Sequence, residues 1–420
     1  MKVAFYIDTR GIEDVNFDDL DQSNPGIGGS EYALLFLLSH LVKNGQQDLE
    51  FLLFSNSIIN LNFIEPTIVN DLNDSFELAI NLQVNLLVLK HNSNLKECIN
   101  KLKIPTIIWA HNFITFGMLQ NYCKNEKISR IVNVSRGQLN TYRDHLAFNK
   151  STYIYNAVNT SYFESGLNFF ERSKIVTYVG SIVKAKGFHV LARIWKKVLI
   201  IHPNAELHVI GSGKLYNRSQ KLGDYGIAEK SYEKEFIKFI TDENGNLLKS
   251  IIFHGVLGKE KNVILEKTKV GVPNPSGNTE TFGYTAIEMQ GFGALITTRL
   301  SIGYVETVYK KKYLYQEENE LETYLISALA QNSNEYENTS KYLKENFDIK
   351  IVSERWQNLF KKIKESEPNS VVPLEYSDNN YTKFKDFLRR IKTTLPFGYH
   401  ILPSLLFFKS LKHKFKKKFL

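Results

Sequence analysis

The stretch Val270-Gly-Val-Pro-Asn-Pro-Ser-Gly-Asn-Thr-Glu280-Thr-Phe-Gly-Tyr-Thr-Ala-Ile-Glu288 carries the strongest structural signal in the chain. Its apolar start predicts a short buried strand, its middle is a polar loop, and a helix is predicted to begin near Phe282 with Gly283 in its first turn. The N–H groups of residues 283–285 have no acceptor within that helix, so they stabilise negative charge near the helix start. In open α/β sheets, ligands bind at the carboxyl ends of strands.

Two glutamates stand at this helix start. Glu280 lies just before the predicted helix, and Glu288 lies one turn beyond Tyr284 on the same face. Carboxylates in such positions can accept hydrogen bonds from sugar hydroxyls, as an acidic residue does for the ribose in dinucleotide-binding folds. From spacing alone, two solvent-exposed glutamates without any ligand are an equal alternative.

Strands and helices alternate on both sides of this stretch, which predicts parallel, doubly wound sheets. Apolar strands are predicted at residues 2–8, 49–54, 85–89, 106–110, 130–134, 152–155, 175–179, 206–210, 250–253, 270–272 and 294–298. Helices are predicted at residues 31–43, 188–201, 261–268 and 282–292. Because the pattern weakens at 160–173, we predict two Rossmann-like domains that face each other across a cleft, residues 1–165 and 166–366. A linker and a basic amphipathic tail follow at 367–420.

The composition is that of a globular protein, with 43% hydrophobic and 23% charged residues among 420, which excludes a wholly disordered chain. Residues 381–420 hold eleven Lys and Arg against one acid, whereas residues 1–380 hold 42 bases and 43 acids. A fold that grips nucleic acid over a whole face is therefore disfavoured. Two cysteines make no disulfide framework, and the apolar residues 3–7 predict a buried strand and not a signal peptide, so we expect a cytoplasmic protein.

Glycine-rich loops follow several of the predicted strands. Pro25-Gly-Ile-Gly-Gly-Ser30 precedes a helix, where glycines let a ligand approach the backbone; a tight turn is the alternative, because the motif is not GxGxxG. In Gly180-Ser-Ile-Val-Lys-Ala-Lys-Gly187, Lys184 and Lys186 stand at a strand end, where lysine either pairs with a diphosphate or stays solvated. The weaker motif Gly211-Ser-Gly213 is typical of a turn.

The basic tail has its own pattern. Phe408, Leu411, Phe415 and Phe419 recur at helical spacing, and most of the lysines around them fall on other faces. This arrangement is typical of a helix that lies in the plane of an anionic membrane. The alternatives are a disordered tail and a helix packed on the body of the protein. Nucleic acid binding is not favoured, because the sequence shows no stacking platform.

The segment that spans Glu280 and Glu288 resembles the donor-site motif of retaining GT-B glycosyltransferases, specifically glycosyltransferase family 4. Other segments resemble the same family in the same order: Gly26-Ile-Gly-Gly-Ser-Glu31, Ile107-Ile-Trp-Ala-His-Asn112, Tyr155-Asn-Ala-Val-Asn159, Tyr178-Val-Gly-Ser-Ile-Val-Lys-Ala-Lys-Gly187, Pro203-Asn-Ala-Glu-Leu-His-Val-Ile-Gly-Ser-Gly213 and Phe253-His-Gly-Val-Leu257. The resemblance extends from residue 1 to about residue 365. It implies a GT-B fold and a nucleotide diphosphate sugar as co-substrate, with no metal and no other cofactor.

The resemblance also implies roles for individual residues. Glu288 would hold the ribose hydroxyls, Glu280 would contact the donor sugar, and Lys186 would stabilise charge on the leaving phosphate. His111 would lie close to the reacting face of the sugar; without the resemblance, a satisfied histidine at a strand end is favoured. Ser181 stands where the family usually has an arginine, which removes a bidentate phosphate donor. The implied donor-binding residues are Gly28, Gly29, Ser181, Lys184, Lys186, Gly211, Leu257, Glu280, Phe282, Gly283, Tyr284, Thr285 and Glu288.

These features predict a metal-independent, retaining glycosyltransferase that moves a hexose-type sugar from a nucleotide diphosphate sugar to a glycan or lipid-linked acceptor. The expected role is assembly of a bacterial surface polysaccharide, lipopolysaccharide or capsule, at the inner face of the cell membrane. We expect residues 381–420 to contact the anionic membrane surface, and no nucleic acid partner. A nucleotide-sugar epimerase or phosphorylase on the same fold, and a non-catalytic membrane or nucleic-acid binding protein, are the alternatives.

Overall fold

The computed structural model describes residues 1–45, 48–163, 168–214, 219–278, 280–333 and 335–418, with side chains up to residue 411. Contacts divide the chain into two compact units. The first comprises Met1–Glu13, Leu38–Tyr155 and Ser353–Leu420, and the second comprises Asp14–Leu37 and Asn156–Val352. Each unit is therefore assembled from separate stretches of the chain. The predicted linear boundaries after residues 165 and 366 stay a prediction.

Within the described residues, the first unit contains a seven-stranded sheet in which every pair is parallel. Its strands are β1 Lys2–Ile7, β2 Glu50–Ser55, β3 Thr67–Ile68, β4 Leu86–Lys90, β5 Thr106–Ala110, β6 Ile128–Asn133 and β7 Ser151–Tyr153. The spatial order is β3-β2-β1-β4-β5-β6-β7. The strands β1, β2, β4 and β5 are largely apolar, because helices cover both faces of a parallel sheet.

The second unit contains a five-stranded parallel sheet, again counted over the described residues, with the order β10-β9-β8-β11-β12. Its strands, followed by a short separate parallel pair, are β8 Ile175–Val179, β9 Glu206–Ile210, β10 Ile251–Gly255, β11 Val270–Gly271, β12 Leu295–Ile296, β13 Thr298–Arg299 and β14 Leu314–Tyr315. The chain runs from β8 outward to β10 and then returns to the other side of β8. The order therefore reverses between β8 and β11, and ligands in doubly wound sheets bind at the carboxyl ends of the strands at such a point.

Helices pack around both sheets. In chain order they are α1 Gly29–Asn44, α2 Leu72–Asn81, α3 Leu95–Cys98, α4 Phe116–Lys124, α5 Arg136–Asn140, α6 Phe188–Ile201, α7 Lys230–Ile240, α8 Lys261–Lys267, α9 Tyr284–Gly291, α10 Tyr304–Thr307, α11 Leu321–Leu329, α12 Tyr336–Phe347, α13 Ile349–Lys364, α14 Asn380–Thr394, α15 Gly398–Ile401 and α16 Leu405–Lys418. Apolar spacing of three and four places Phe188, Leu191 and Trp195 of α6 in the core of the second unit.

The predicted doubly wound architecture is confirmed in both units. The strands predicted at 106–110, 175–179 and 206–210 and the helix predicted at 188–201 have those bounds in the structure. The strand predicted at 294–298 is wrong as a single element, because it divides into β12 and β13 of different sheets. Helix α7 was not predicted, although Tyr232, Phe236 and Ile240 recur at helical spacing and are buried.

The placement of Gly283 inside the predicted helix is wrong. Helix α9 begins at Tyr284, and Gly283 is the residue before it, with φ of +101°. A residue inside a right-handed helix has negative φ, and positive φ is readily adopted only by glycine. The chain therefore turns sharply at Gly283 before the first turn of α9.

The segment after α13 packs on the first unit. Helix α14 follows the predicted linker and belongs to the first unit. Of the predicted apolar stripe, Phe408 and Leu411 lie on α16, whereas the side chains of Phe415 and Phe419 are outside the described residues. In the part of the chain that the structure describes, no helix is both long enough and apolar enough to cross a membrane.

Candidate active site

A lysine and a glutamate meet at the carboxyl ends of β8 and β11. The turn Lys184–Lys186 follows β8, and the loop after β11 carries Glu280. The Lys186 Nζ atom lies 2.9 Å from the Glu280 Oε2 atom, and the two side chains are 22% and 14% exposed. The point at which the strand order reverses therefore holds a charge pair that is largely sheltered but still reachable from solvent.

Glu280 is held by neutral partners as well as by Lys186. Asn274 donates from its side-chain amide to Oε2 at 3.1 Å, and the Tyr304 hydroxyl lies 3.5 Å from the same oxygen. Burial by itself raises the pKa of Glu280, but the charge of Lys186 and hydrogen bonds from Lys186 and Asn274 outweigh it, so this pKa lies below its usual value. Glu280 is therefore ionised at neutral pH and can accept, but not donate, a hydrogen bond.

The two loops that carry this pair are tied together by Ser276. Its hydroxyl lies 2.8 Å from both the Ala185 carbonyl oxygen and Asn274 Oδ1, either of which can accept its proton. A side chain on Gly187, which has φ of +71°, would come within 2.5 Å of the Ser276 backbone nitrogen. Gly187 must therefore be a glycine for the lysine turn to sit against the loop of Glu280.

The start of α9 lies beside this pair. Tyr284 and Thr285 occupy the first turn, where N–H groups have no acceptor within the helix. The Phe282 ring is buried, and its centroid lies 5.3 Å from that of Tyr284. The helix start thus has backbone donors next to Glu280 that can stabilise negative charge.

Replacing Gly283 with alanine is expected to destabilise the protein by about 1–3 kcal/mol, because positive φ is strained for residues other than glycine. A Cβ at this position would also lie 2.6 Å from the buried Tyr304 ring. Urea unfolding of the wild type and of Gly283→Ala measures the difference. Gly117→Ala is the control, because a Cβ there meets nothing within 4 Å; equal unfolding free energies for both variants would contradict the prediction.

Glu288 is paired with a lysine that the sequence analysis missed. The Lys261 Nζ atom lies 2.9 Å from Glu288 Oε1, and the two side chains are 4% and 10% exposed. Lys261 is the first residue of α8, a position at which lysine is ordinarily solvated. Asn274 and Tyr304 were missed for a similar reason, since neither belongs to a charge or glycine motif.

The predicted glycine loop lies against α9 within the second unit. The Asn24 side chain accepts from the N–H groups of Gly26 and Ile27, which closes the turn before α1. A Cβ on Gly29 would lie 3.5 Å from the Tyr284 ring. The adjacent residues of this loop, Gly28 and Gly29, are therefore brought beside the start of α9.

Four further predicted donor-binding residues lie around the same sheet edge. Ser181 is 1% exposed, and its hydroxyl donates to the Ser212 carbonyl oxygen at 3.3 Å. Lys184 is 68% exposed and pairs with Glu235 at 2.6 Å, away from Glu280. Gly211 has φ of +134° and a Cβ there would collide with the backbone of Gly180, so a side chain cannot be accommodated. Leu257, after β10, is partly exposed.

His111 belongs to the first unit, whereas the residues of the cluster around Glu280 belong to the second. It directly follows β5, is 8% exposed, and its ring centroid lies 4.6 Å from that of Trp109. Its surroundings are those of a buried histidine at a strand end. In the described residues of both units, no three His, Cys, Asp or Glu side chains come together as a metal site would require.

Comparison with known proteins agrees with this geometry. Residues 163–346 match the family of glycosyl transferases group 1. The matched segment is less than half of the chain. It contains Lys186, Lys261, Glu280 and Glu288. Among curated proteins, none matches this sequence significantly.

Solved glycosyltransferases share the fold of this protein. Anabaena HepE, in complex with UDP and glucose, is 14% identical with a TM-score of 0.61, over 86% of this chain and 100% of that one. A glycosyltransferase from Rickettsia africae ESF-5 is 14% identical with a TM-score of 0.63, over 87% and 99%. The lipopolysaccharide outer core galactosyltransferase WaaB is 12% identical with a TM-score of 0.55, over 86% and 100%. At these identities the likeness shows the fold alone, and the predicted GT-B fold class is confirmed.

Proposed function

We propose that this protein is a retaining glycosyltransferase of glycosyltransferase family 4 that transfers a hexose-type sugar from a nucleotide diphosphate sugar. The observation that carries the proposal is the Lys186–Glu280 pair beside the start of α9. A cation, a carboxylate and unpaired backbone donors are the groups that a sugar diphosphate needs at one place. The match of residues 163–346 to glycosyl transferases group 1 supports it.

Each group in the cluster has a task in the proposed reaction. The first turn of α9 and the glycines of the loop before α1 face the diphosphate, where backbone N–H groups approach closely. The ionised Glu280 accepts hydrogen bonds from hydroxyls of the donor sugar. As the bond between sugar and phosphate breaks, negative charge develops on the departing diphosphate, and the Lys186 ammonium stabilises it in the transition state.

Glu288 is proposed to hold the ribose hydroxyls of the nucleotide. Lys261 keeps its carboxylate oriented, because the pair is buried and close. One oxygen of Glu288 is engaged by Lys261, and a carboxylate has further lone pairs with which to accept from a vicinal diol. In HepE, a neighbour of similar fold, the bound molecules are UDP and glucose.

The finer parts of the proposal rest on the sequence resemblance. These are retention of anomeric configuration, chemistry without a metal, and a glycan or lipid-linked acceptor in lipopolysaccharide or capsule assembly. Ser181 stands where the family usually has an arginine, and Lys184 pairs with Glu235. Lys186 is therefore the lysine of this turn that pairs with Glu280. A location at the inner face of the cell membrane, through residues 381–420, belongs to the same proposal.

Donor cleavage by the purified protein tests the proposal. A panel of UDP-, GDP-, dTDP- and ADP-sugars is offered to the wild type and to Glu280→Gln, and release of nucleoside diphosphate is measured. One donor is expected to be cleaved by the wild type, about 10²-fold faster than by Glu280→Gln. The released sugar is expected to keep its anomeric configuration by NMR, and EDTA is expected to leave the rate unchanged.

The other outcomes of this test point to the alternatives. If the wild type and Glu280→Gln bind a donor equally and neither cleaves it, the result supports a non-catalytic binding protein. If the sugar of the donor is converted into its epimer and is not transferred, the result supports an epimerase. An inverted product, or a rate abolished by EDTA and restored by a divalent cation, overturns the retaining or the metal-independent part separately.

A further inference from the structure

Helix α14 has its amphipathic faces reversed. Lys385, Asp386 and Lys392 are no more than 6% exposed, although charged side chains ordinarily face solvent. Its aromatic side chains, in contrast, are open to solvent: Tyr381 is 57% exposed and Phe387 is 57% exposed. A surface helix normally shows the opposite distribution.

The buried charges hold this orientation in place. The Arg143 Nε atom lies 2.9 Å from Asp386, and the Lys392 Nζ atom lies 2.9 Å from Asp144, with all four side chains at most 2% exposed. The Lys385 ammonium donates to two backbone carbonyl oxygens of the first unit. Turning the helix to bury its aromatic face would move Asp386 and Lys392 away and leave Arg143 and Asp144 buried without partners, which is strongly unfavourable. The aromatic face is therefore held outward by the fold.

Exposed apolar side chains also occur in the chain after α14. Phe397 is 79% exposed, Ile401 is 65% exposed and Phe408 is 54% exposed. Phe397 has φ of +56°, a strained conformation for an aromatic residue. Among the described residues, ten Phe and Tyr side chains are exposed, and six of them lie between Tyr376 and Phe408. Exposed aromatic side chains are thus concentrated in one short part of the chain.

The same part of the chain is strongly basic. Eleven Lys and Arg stand in residues 381–420, and the single acid, Asp386, is buried in ion pairs. Lys383 and Lys409 are exposed, and Arg390 is 70% exposed. A second copy of the chain would bring the same positive charge to this face, so self-association is opposed by repulsion. Ile401 and Leu395 are also exposed, and these aliphatic side chains can enter a lipid interface but do not stack on bases.

We propose that this face docks on an anionic lipid bilayer. The docking face consists of the outward side of α14 with Tyr381, Phe384 and Phe387, together with Phe397 and Ile401. Its aromatic rings enter the boundary between headgroups and acyl chains, while the neighbouring Lys and Arg side chains contact lipid phosphates. This inference rests on the proposed function, because the lipid-linked acceptor proposed there would lie in the same bilayer. Compared with the sequence prediction, it moves the main contact from the tail helix to α14.

Vesicle sedimentation tests the proposal with the full-length protein. The wild type is expected to bind vesicles of phosphatidylcholine with phosphatidylglycerol and not vesicles of phosphatidylcholine alone. The partition coefficient of the variant Phe384→Ser/Phe387→Ser/Phe397→Ser is expected to be at least about tenfold lower, because membrane affinity increases with the apolar area that is buried. The matched control is Ile200→Ser/Ile201→Ser, which removes exposed apolar side chains of the second unit; its partitioning is expected to equal that of the wild type.

Several results would overturn the proposal. Equal partitioning of the triple variant and the wild type would do so, and so would an absence of wild-type binding to anionic vesicles. Complete loss of binding on deletion of residues 409–420, with α14 intact, would place the contact in the tail. Binding to poly(U) but not to vesicles, lost in the triple variant, would assign the face to nucleic acid.

The proposed function can fail independently of this docking face. The triple variant is expected to cleave the donor in solution at the wild-type rate, because none of its substituted residues belongs to the cluster around Glu280. Vesicle binding without donor cleavage in any variant would reject the glycosyltransferase proposal and leave the membrane proposal standing. Donor cleavage without vesicle binding would reject the membrane proposal and leave the glycosyltransferase proposal standing.

Discussion

Replacing Lys186 with alanine is expected to slow donor cleavage by about 10²- to 10³-fold, with the loss in kcat more than in KM. The Lys186 ammonium lies 2.9 Å from Glu280 at the point where the strand order reverses. Under the proposed function it stabilises charge that appears on the diphosphate only as the sugar leaves, and interactions made in the transition state act on kcat. Steady-state release of nucleoside diphosphate at saturating donor measures the effect.

Lys184→Ala is the comparison variant, although the sequence resemblance implies that Lys184 also binds the donor. Lys184 belongs to the same turn, but its side chain is 68% exposed and pairs with Glu235 at the surface. An exposed ion pair of this kind contributes little, so the rate is expected to change by less than about threefold. Similar losses in Lys184→Ala and Lys186→Ala would show that general positive charge in the turn matters, and would contradict a specific task for Lys186.

Replacing Lys261 with methionine is expected to lower the free energy of unfolding by about 3–5 kcal/mol and to abolish measurable nucleotide binding. The substitution leaves the Glu288 carboxylate buried without its partner 2.9 Å away, and an uncompensated buried charge is costly. Under the proposed function, the carboxylate also loses the contact that orients it toward the ribose. Urea unfolding and calorimetric titration with the nucleoside diphosphate measure the two effects.

Two further variants distinguish the effect of losing the Lys261–Glu288 pair from a general effect of substitution in α8. In Lys261→Met/Glu288→Leu, stability is expected to return toward the wild-type value, because apolar residues often replace a buried ion pair without loss. Nucleotide binding is expected to stay absent, since no carboxylate remains for the ribose. Lys267→Met, an exposed position on the same helix α8, is expected to change neither quantity. Restored binding in the double variant would reject the ribose role of Glu288.

Much of the fold could be predicted because it depends on patterns along the chain. Apolar runs separated by helices predict parallel sheets whatever the details of packing, and strands such as β8 and β9 have the predicted bounds. The sequence also predicted that Glu280 precedes the start of α9, since local propensity and glycine placement decide where a helix begins. The placement of Gly283 inside the helix was wrong, because Gly283 has φ of +101° and is the residue before α9. The nearby Tyr304 ring leaves no room for a Cβ there, and this contact between distant residues is not visible in the sequence.

The partners of the site residues could not be predicted in the same way. Lys186 and Glu280 are 94 positions apart, and Lys261 and Glu288 are 27 apart. A motif indicates which residue types stand at a strand end, but the distance between two ends depends on how β8, β11 and α8 pack. The same holds for α14, whose spacing alone favours burial of its aromatic residues; buried partners in the first unit select the opposite face.

The sequence by itself determined two Rossmann-like sheets, the helix start after Glu280 and the concentration of basic residues in the last forty positions, because each follows from residues close together in the chain. The tertiary structure alone decided which lysine neutralises which glutamate, and which face of α14 meets solvent. Those choices follow from the cost of leaving a buried charge unpaired, and that cost is set by neighbours brought together only when the chain folds.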